Sequence, residues 1–239
     1  MIFGVILAGG NGNRMGNTDK PKQFLEIAGK PIIVHTIEKF LCSNKINKII
    51  VLCPEIWKEY TEKLCREYFA DKDIAVISGG DNRNETLMNG INYIEKKYGI
   101  DKNTALITHD SVRPFITKTI IEENISYLSE GKICTTAVPS TDTIFISRGG
   151  DVVDMALKRK ECYQVQTPQS FFAMDFKKCY NELSDDERKQ VTDAMGVFIL
   201  NKYEVSLVAG RNENMKITYL SDLHVAEKIF ELEKDSVEV

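Results

Sequence analysis

The sequence predicts an α/β fold built on a doubly wound, mostly parallel sheet. Three observations carry that reading: short continuous apolar runs, helical apolar spacing between them, and a glycine-rich segment directly after the first run. Strands of a parallel sheet are apolar on both faces because helices cover both sides. Phe3 to Ala8 is the first such run. Ile49 to Leu52, Ile74 to Ile77, Ala105 to Ile107, Ile133 to Val138 and Val205 to Ala209 follow it. Between the first two, Ile33, Ile37, Phe40 and Leu41 share one helix face. Leu223, Ala226 and Phe230 do the same near the C-terminus. No internal repeat or low-complexity linker divides the chain, so a single domain over 1–239 is expected.

One segment departs from this rhythm. Thr143 to Ser147, then Arg148-Gly149-Gly150-Asp151, then Val152-Val153 reads as an antiparallel hairpin. The paired glycines supply the positive φ that a tight hairpin turn requires. Pattern alone leaves two readings, an edge hairpin or an arm reaching another subunit, and slightly favours the first.

Composition excludes several classes. The chain has 239 residues, 43% hydrophobic and 28% charged, with a formal net charge of -4. These values are near the globular average and unlike those of disordered, collagenous or coiled-coil chains. No apolar run approaches the roughly 18 residues of a membrane helix. The first eight residues are too short for a signal sequence and lack its basic flank. Slight acidity argues against bulk nucleic-acid binding, which needs a basic excess. A soluble, cytoplasmic protein with no nucleic-acid or membrane partner is expected. Cys42, Cys53, Cys65, Cys134, Cys162 and Cys179 are scattered without a C-x-x-C pair, which suits mostly buried, reduced thiols.

The strongest local signal is Leu7-Ala8-Gly9-Gly10-Asn11-Gly12-Asn13-Arg14-Met15-Gly16. It follows the first strand, where an open α/β sheet places its ligand. Glycines let backbone N–H groups approach and cradle phosphate oxygens. The dinucleotide pattern G-x-G-x-x-G fails here, because Met15 stands at the third glycine. The P-loop pattern fails too, since the only Gly-Lys pair, Gly29-Lys30, is followed by Pro31. What remains is glycine-rich backbone with Arg14 and, shortly after, Lys22, which suits a triphosphate whose charge must be neutralised.

With Pro21-Lys22-Gln23-Phe24-Leu25 and Gly29-Lys30-Pro31, this loop resembles the nucleotidyltransferases of sugar and polyol phosphates. Within them it is similar to the cytidylyltransferase family that acts on methylerythritol 4-phosphate and ribitol 5-phosphate. The resemblance recurs at Gly79-Gly80-Asp81-x-Arg83-x-x-Thr86, His109-Asp110-Ser111-Val112-Arg113-Pro114 and Gln166-Thr167-Pro168-Gln169-Ser170-Phe171. It continues at Thr192-Asp193-Ala194 and Asn214-Met215-Lys216-Ile217-Thr218. It implies a Rossmann-like sheet of the nucleotide-diphospho-sugar transferase type and a Mg²⁺-dependent transfer of a cytidylyl group from CTP to a polyol phosphate. In that chemistry the attacking phosphate is already anionic, so positioning and charge stabilisation replace a strong base.

The resemblance also implies roles. Arg14, Lys22 and Lys216 would be catalytic. Leu7, Ala8, Gly9, Gly10, Gly12, Arg14, Lys22, Gly80, Asp81, Arg83, Thr86 and Ser111 would bind CTP. Asp110, Arg113, Thr143, Arg159, Thr192 and Lys216 would bind the polyol phosphate, with Asp110 also holding Mg²⁺. A single carboxylate suffices for magnesium, which favours phosphate and water as its other ligands. Thr143 and Arg159 match residues that relatives send into a neighbouring subunit, so the resemblance turns the hairpin, at about 139–165, into a dimerisation arm and implies a homodimer. His35, His109 and His224 are expected to be structural or surface residues.

The glycine loop reads L-A-G-G rather than L-A-A-G, and Ser111-Val112 stands where methylerythritol enzymes carry A-A. Those departures resemble the ribitol branch, which makes CDP-ribitol for teichoic-acid or capsule-type polymers. The alternative is the methylerythritol step of isoprenoid precursor synthesis. An alternative of another class is a nucleotide-binding regulatory module without catalysis, against which intact Arg14, Lys22, Asp110 and Lys216 argue.

Overall fold

The structure is a computed structural model that describes residues 1–10 and 20–235. Gly12 and Arg14, with the rest of the 11–19 segment, lie outside the described residues. Eleven strands form among them: β1 Ile2–Leu7, β2 Glu26–Ile27, β3 Lys30–Pro31, β4 Lys48–Cys53, β5 Ile74–Ser78, β6 Ala105–Asp110, β7 Ile133–Pro139, β8 Phe145–Ile146, β9 Met155–Ala156, β10 Tyr163–Phe172 and β11 Val205–Ala209. Eight α-helices accompany them: α1 Ile32–Leu41, α2 Lys58–Tyr68, α3 Arg83–Tyr98, α4 Lys118–Ser129, α5 Ala173–Glu182, α6 Asp185–Gln190, α7 Ala194–Leu200 and α8 Leu220–Asp235.

Seven strands form one sheet in the order β11-β7-β10-β6-β1-β4-β5. All neighbours are parallel except β10, which runs antiparallel to both β6 and β7. This is the mostly parallel sheet that the apolar runs predict. The pleat sorts each strand between two cores. Phe3, Val5 and Leu7 of β1 join α3, α5 and α7 on one face, while Ile6 joins α1, α2 and α4 on the other. Gly4 is required by this packing, since a Cβ there would lie 2.9 Å from Phe40 of α1. A smaller cluster seats α8, through Ala226 and Phe230, on Val112 and Phe115 just after β6.

β10 has no counterpart among the predicted strands. Its stretch Gln164 to Ser170 is too polar to read as a buried run, and Pro168 cannot donate to a ladder. The β10–β7 register shifts between Val165 and Gln169, around that proline. The hairpin also differs from expectation. Its strands pair Phe145 with Ala156 and Ile146 with Met155, so Val152-Val153 lies in the turn and not in a strand. The turn is longer than the two glycines suggest because side chains close it: Gly150 N–H donates to Ser147 Oγ, and Arg148 N–H donates to the Asp154 carboxylate.

Cys53, Cys65, Cys134 and Cys179 are buried free thiols, as expected of most cysteines here. Burial pushes the Cys65 and Cys134 thiols up to about 12. No helix among the described residues is long and apolar enough to cross a membrane.

Candidate functional site

The register of three parallel strands builds the site. Leu7 at the end of β1 lies level with Leu52 of β4 and with Asp110 of β6. Their carboxyl ends therefore open into one crevice, where the strand order switches from β6 to β4 around β1. A cavity of about 450 Å³ occupies it. Leu7, Gly9, Gly10, Lys22, Gly80, Asp81, Arg83, Thr86, Asp110, Ser111 and Lys216 line it, each expected from the sequence. Gln23, Asn82 and Val112 line it as well and were not expected.

Each wall has a local cause. Gln23 Nε2 donates to the Ala8 carbonyl at 2.8 Å, fixing the glycine segment to the Lys22–Phe24 turn. Ala8 itself is buried and contributes through that backbone carbonyl. Lys22 is only 6% exposed, and its ammonium donates to the Ile217 carbonyl at 3.0 Å. On the opposite wall Asn82 caps α3, accepting from the N–H groups of Asn84 and Glu85. Capping satisfies helix-end donors that would otherwise be orphaned. Thr86 Oγ1 accepts from Gly80 N–H at 3.0 Å and donates to the Asn82 carbonyl, closing the turn. Gly80 must lack a side chain, because a Cβ would stand 2.6 Å from Glu85 Cβ.

Asp110 is the electrostatic centre. Its Oδ1 accepts from Arg83 Nη1 at 2.6 Å, while Oδ2 faces Lys216 Nζ at 3.0 Å and Arg113 Nε at 3.4 Å. Arg113 also donates to the Asn214 carbonyl at 2.8 Å. Burial works to raise the Asp110 carboxyl, but the charges of Arg83, Lys216 and Arg113 and the Arg83 hydrogen bond outweigh it, holding it well below the usual carboxylate range. Asp110 is therefore an anion at neutral pH. Motifs from α3, the post-β6 turn and the segment before α8 converge on it, although sequence offers no sign that Arg83 would pair with Asp110.

His109 is fully buried, and burial pushes its imidazole down to about 4. Its Nε2 lies 3.0 Å from the Arg113 carbonyl and its Nδ1 2.8 Å from Thr167 Oγ1.

The profile of the 2-C-methyl-D-erythritol 4-phosphate cytidylyltransferase (IspD) family matches residues 2–232. The chain belongs to this family. It is 46% identical over 231 residues to a ribitol-5-phosphate cytidylyltransferase of Lactiplantibacillus plantarum, with 97% of this chain and 99% of that one covered. Among solved structures it is similar to 4-diphosphocytidyl-2C-methyl-D-erythritol synthase of Anaerococcus prevotii, with a TM-score of 0.78 at 25% identity over 96% of this chain and 98% of the other. The Francisella tularensis 2-C-methyl-D-erythritol 4-phosphate cytidylyltransferase gives 0.76 at 25% identity, covering 94% and 97%. The chain is thus a cytidylyltransferase, an enzyme of the nucleotidyltransferase class, built on the family's α/β sheet.

Arg113, buried and joined to Asp110, does not line this cavity, and three further residues assigned by resemblance stand apart from it. Thr192 is exposed beside Asp193, which caps α7 through Gly196 N–H and accepts from Gln169 at 2.6 Å. Thr143 and Arg159 are exposed on the hairpin, where Arg159 Nη1 reaches the Thr141 carbonyl at 3.4 Å. None of the three lines the cavity within one chain.

Proposed function

We propose that the chain transfers the cytidylyl group of CTP to D-ribitol 5-phosphate, giving CDP-ribitol and pyrophosphate. The observation that carries this is the 46% identity, over nearly the whole length of both chains, to the L. plantarum enzyme. The departures at Gly9 and at Ser111-Val112 support it, since both positions line the cavity. Among the described residues a Cβ at Gly9 would meet nothing within 4 Å, so their packing does not demand glycine there.

In this reading the phosphate oxygen of the polyol forms a bond to the α-phosphorus of CTP. The bond from that phosphorus to the bridging oxygen breaks, and its electron pair leaves with pyrophosphate. The nucleophile needs no base, and no histidine is among the described residues that line the cavity. Lys22, with Arg14 from the glycine loop, neutralises the triphosphate. Gly80, Asp81, Arg83 and Thr86 form the wall for the base, and Arg113 and Lys216 take the polyol phosphate. Among the described residues no group of three or more acidic, histidine or cysteine side chains could hold a metal alone. Asp110, whose carboxyl the neighbouring cations hold well below the usual range, fits Mg²⁺ carried largely by substrate phosphates. Such an ion would supply further neutralisation of the transferred phosphoryl group.

A homodimer completes the reading. The hairpin leaves Phe145, Val152, Val153 and Met155 at least half exposed, and a second copy would cover them while receiving Thr143 and Arg159. Cytoplasmic location and supply of CDP-ribitol to a teichoic-acid or capsule-type polymer belong to the same proposal. The second reading, methylerythritol 4-phosphate as acceptor, is favoured by the family profile and by the solved relatives. Pyrophosphate release from CTP and Mg²⁺ with each polyol phosphate tests both. No release with either would return the regulatory-module reading.

A further inference from the structure

Two hydrogen-bond contacts hold the buried His109 ring. The Arg113 carbonyl can only accept, so the ring nitrogen facing it, Nε2, carries the proton. The ring's Nδ1 lies 2.8 Å from Thr167 Oγ1, within hydrogen-bond reach. The same hydroxyl oxygen accepts from Asp110 N–H at 3.2 Å. Asp110 N–H points at β10 where the strand's register with β7 breaks around Pro168, and the Thr167 side chain supplies the acceptor. A chain of bonds thus runs from Asp110 through Thr167 and His109 to Arg113. It grips both ends of the turn whose side chains meet Arg83, Lys216 and Asn214. Thr167 and His109 are buried and do not line the cavity.

We infer that Thr167 and His109 form a positioning pair that sets Asp110 and Arg113 for the polyol phosphate. The inference rests on the transferase reading but not on which polyol is used. Neither residue touches substrate; they act through the backbone of the turn. Loss of such supporting contacts typically lowers activity about 10–100-fold. Packing of His109 against Phe40, with ring centroids 5.3 Å apart, is a separate role that His109→Phe would retain.

The test compares Thr167→Val, which keeps shape and removes the hydroxyl, with Thr167→Ser, which keeps the hydroxyl. The assay uses whichever of ribitol 5-phosphate and methylerythritol 4-phosphate the wild type turns over, so a wrong acceptor and a wrong positioning role fail separately. Thr167→Val should lose about 10–100-fold in kcat/KM with a raised KM for the polyol phosphate, and CTP affinity by calorimetry should stay near wild type. Thr167→Ser should recover most of the loss. Ring-nitrogen NMR should show a displaced His109 Nδ1 signal in Thr167→Val relative to wild type. Wild-type kinetics in Thr167→Val, or a Thr167→Ser variant as impaired as Thr167→Val, would overturn the role. So would a loss explained wholly by less folded protein with both KM values unchanged.

Discussion

The turn after β6 and the hairpin after β7 are similar in scale and opposite in construction. Asp110 to Arg113 is buried, ends a central strand, and is tied to β10, α3 and the segment before α8. The hairpin has two-residue strands, and its apolar side chains face outward, Val152 at 73% and Phe145 at 56% exposure. The first region takes its order from the sheet of its own chain. The second presents apolar surface that its own chain leaves uncovered. In the proposed enzyme they are two halves of one site, a rigid centre and an arm given to a neighbour.

Breaking the centre should have the largest effect. Asp110→Asn leaves Arg83, Arg113 and Lys216 without their shared counter-charge, and removing one partner of a buried pair typically costs about 3–5 kcal/mol. Urea unfolding should show that loss, and pyrophosphate release should fall about 10³-fold. Next comes Lys22→Ala, which should lower kcat by about 10²-fold and change CTP affinity less, because its contact strengthens as charge develops. Unchanged turnover would remove Lys22 from the mechanism.

The arm half is tested by complementation. Inactive Arg159→Ala and inactive Lys22→Ala proteins, mixed and allowed to exchange, should regain up to about a quarter of wild-type activity, since half the dimers are mixed and one site in each is intact. Mixed dimers that demonstrably form and stay inactive would place Arg159 in its own chain's business alone.

The smallest effect lies outside both regions. Burial lowers the His35 imidazole from its usual value, against its bond to the Ile27 carbonyl. The folded state therefore resists protonating it. Its contribution to stability is present above the unfolded value of 6.5 and is lost as pH falls below that. The urea midpoint should drop between about pH 7.5 and about pH 5.5, and less so in His35→Gln. An equal drop in both proteins would assign the acid sensitivity elsewhere.

Legibility in the sequence followed the same division. Strands β1 and β4 were readable because burial on both faces makes them nearly uniformly apolar, and β5, β6, β7 and β11 were readable through shorter apolar stretches, although the edge strands β5 and β11 are only partly buried. β10 was not, because Gln166, Thr167 and Gln169 are buried by bonding to Arg211, to His109 and Asp110, and to Asp193, which no periodicity records. Leu7, Gly9, Gly10, Lys22 and Asp110 were readable because glycine spacing and a strand-end carboxylate carry a pattern, whereas Gly80, Asp81, Arg83, Thr86, Ser111 and Lys216 came through resemblance. His109 was set aside as structural because an isolated histidine carries none. Val152-Val153 looked like a strand on apolarity alone, whereas the side chains of Ser147 and Asp154 set the true turn. Thr143, Arg159 and Thr192 were legible only through resemblance, and one chain does not bring them to the cavity.

The acceptor decides the central claim. Purified protein with CTP and Mg²⁺ should release pyrophosphate with ribitol 5-phosphate at a kcat/KM at least about 10²-fold above that with methylerythritol 4-phosphate, a ratio expected of a site that hydrogen-bonds its substrate's hydroxyls. A preference of the same size for methylerythritol 4-phosphate would contradict the account.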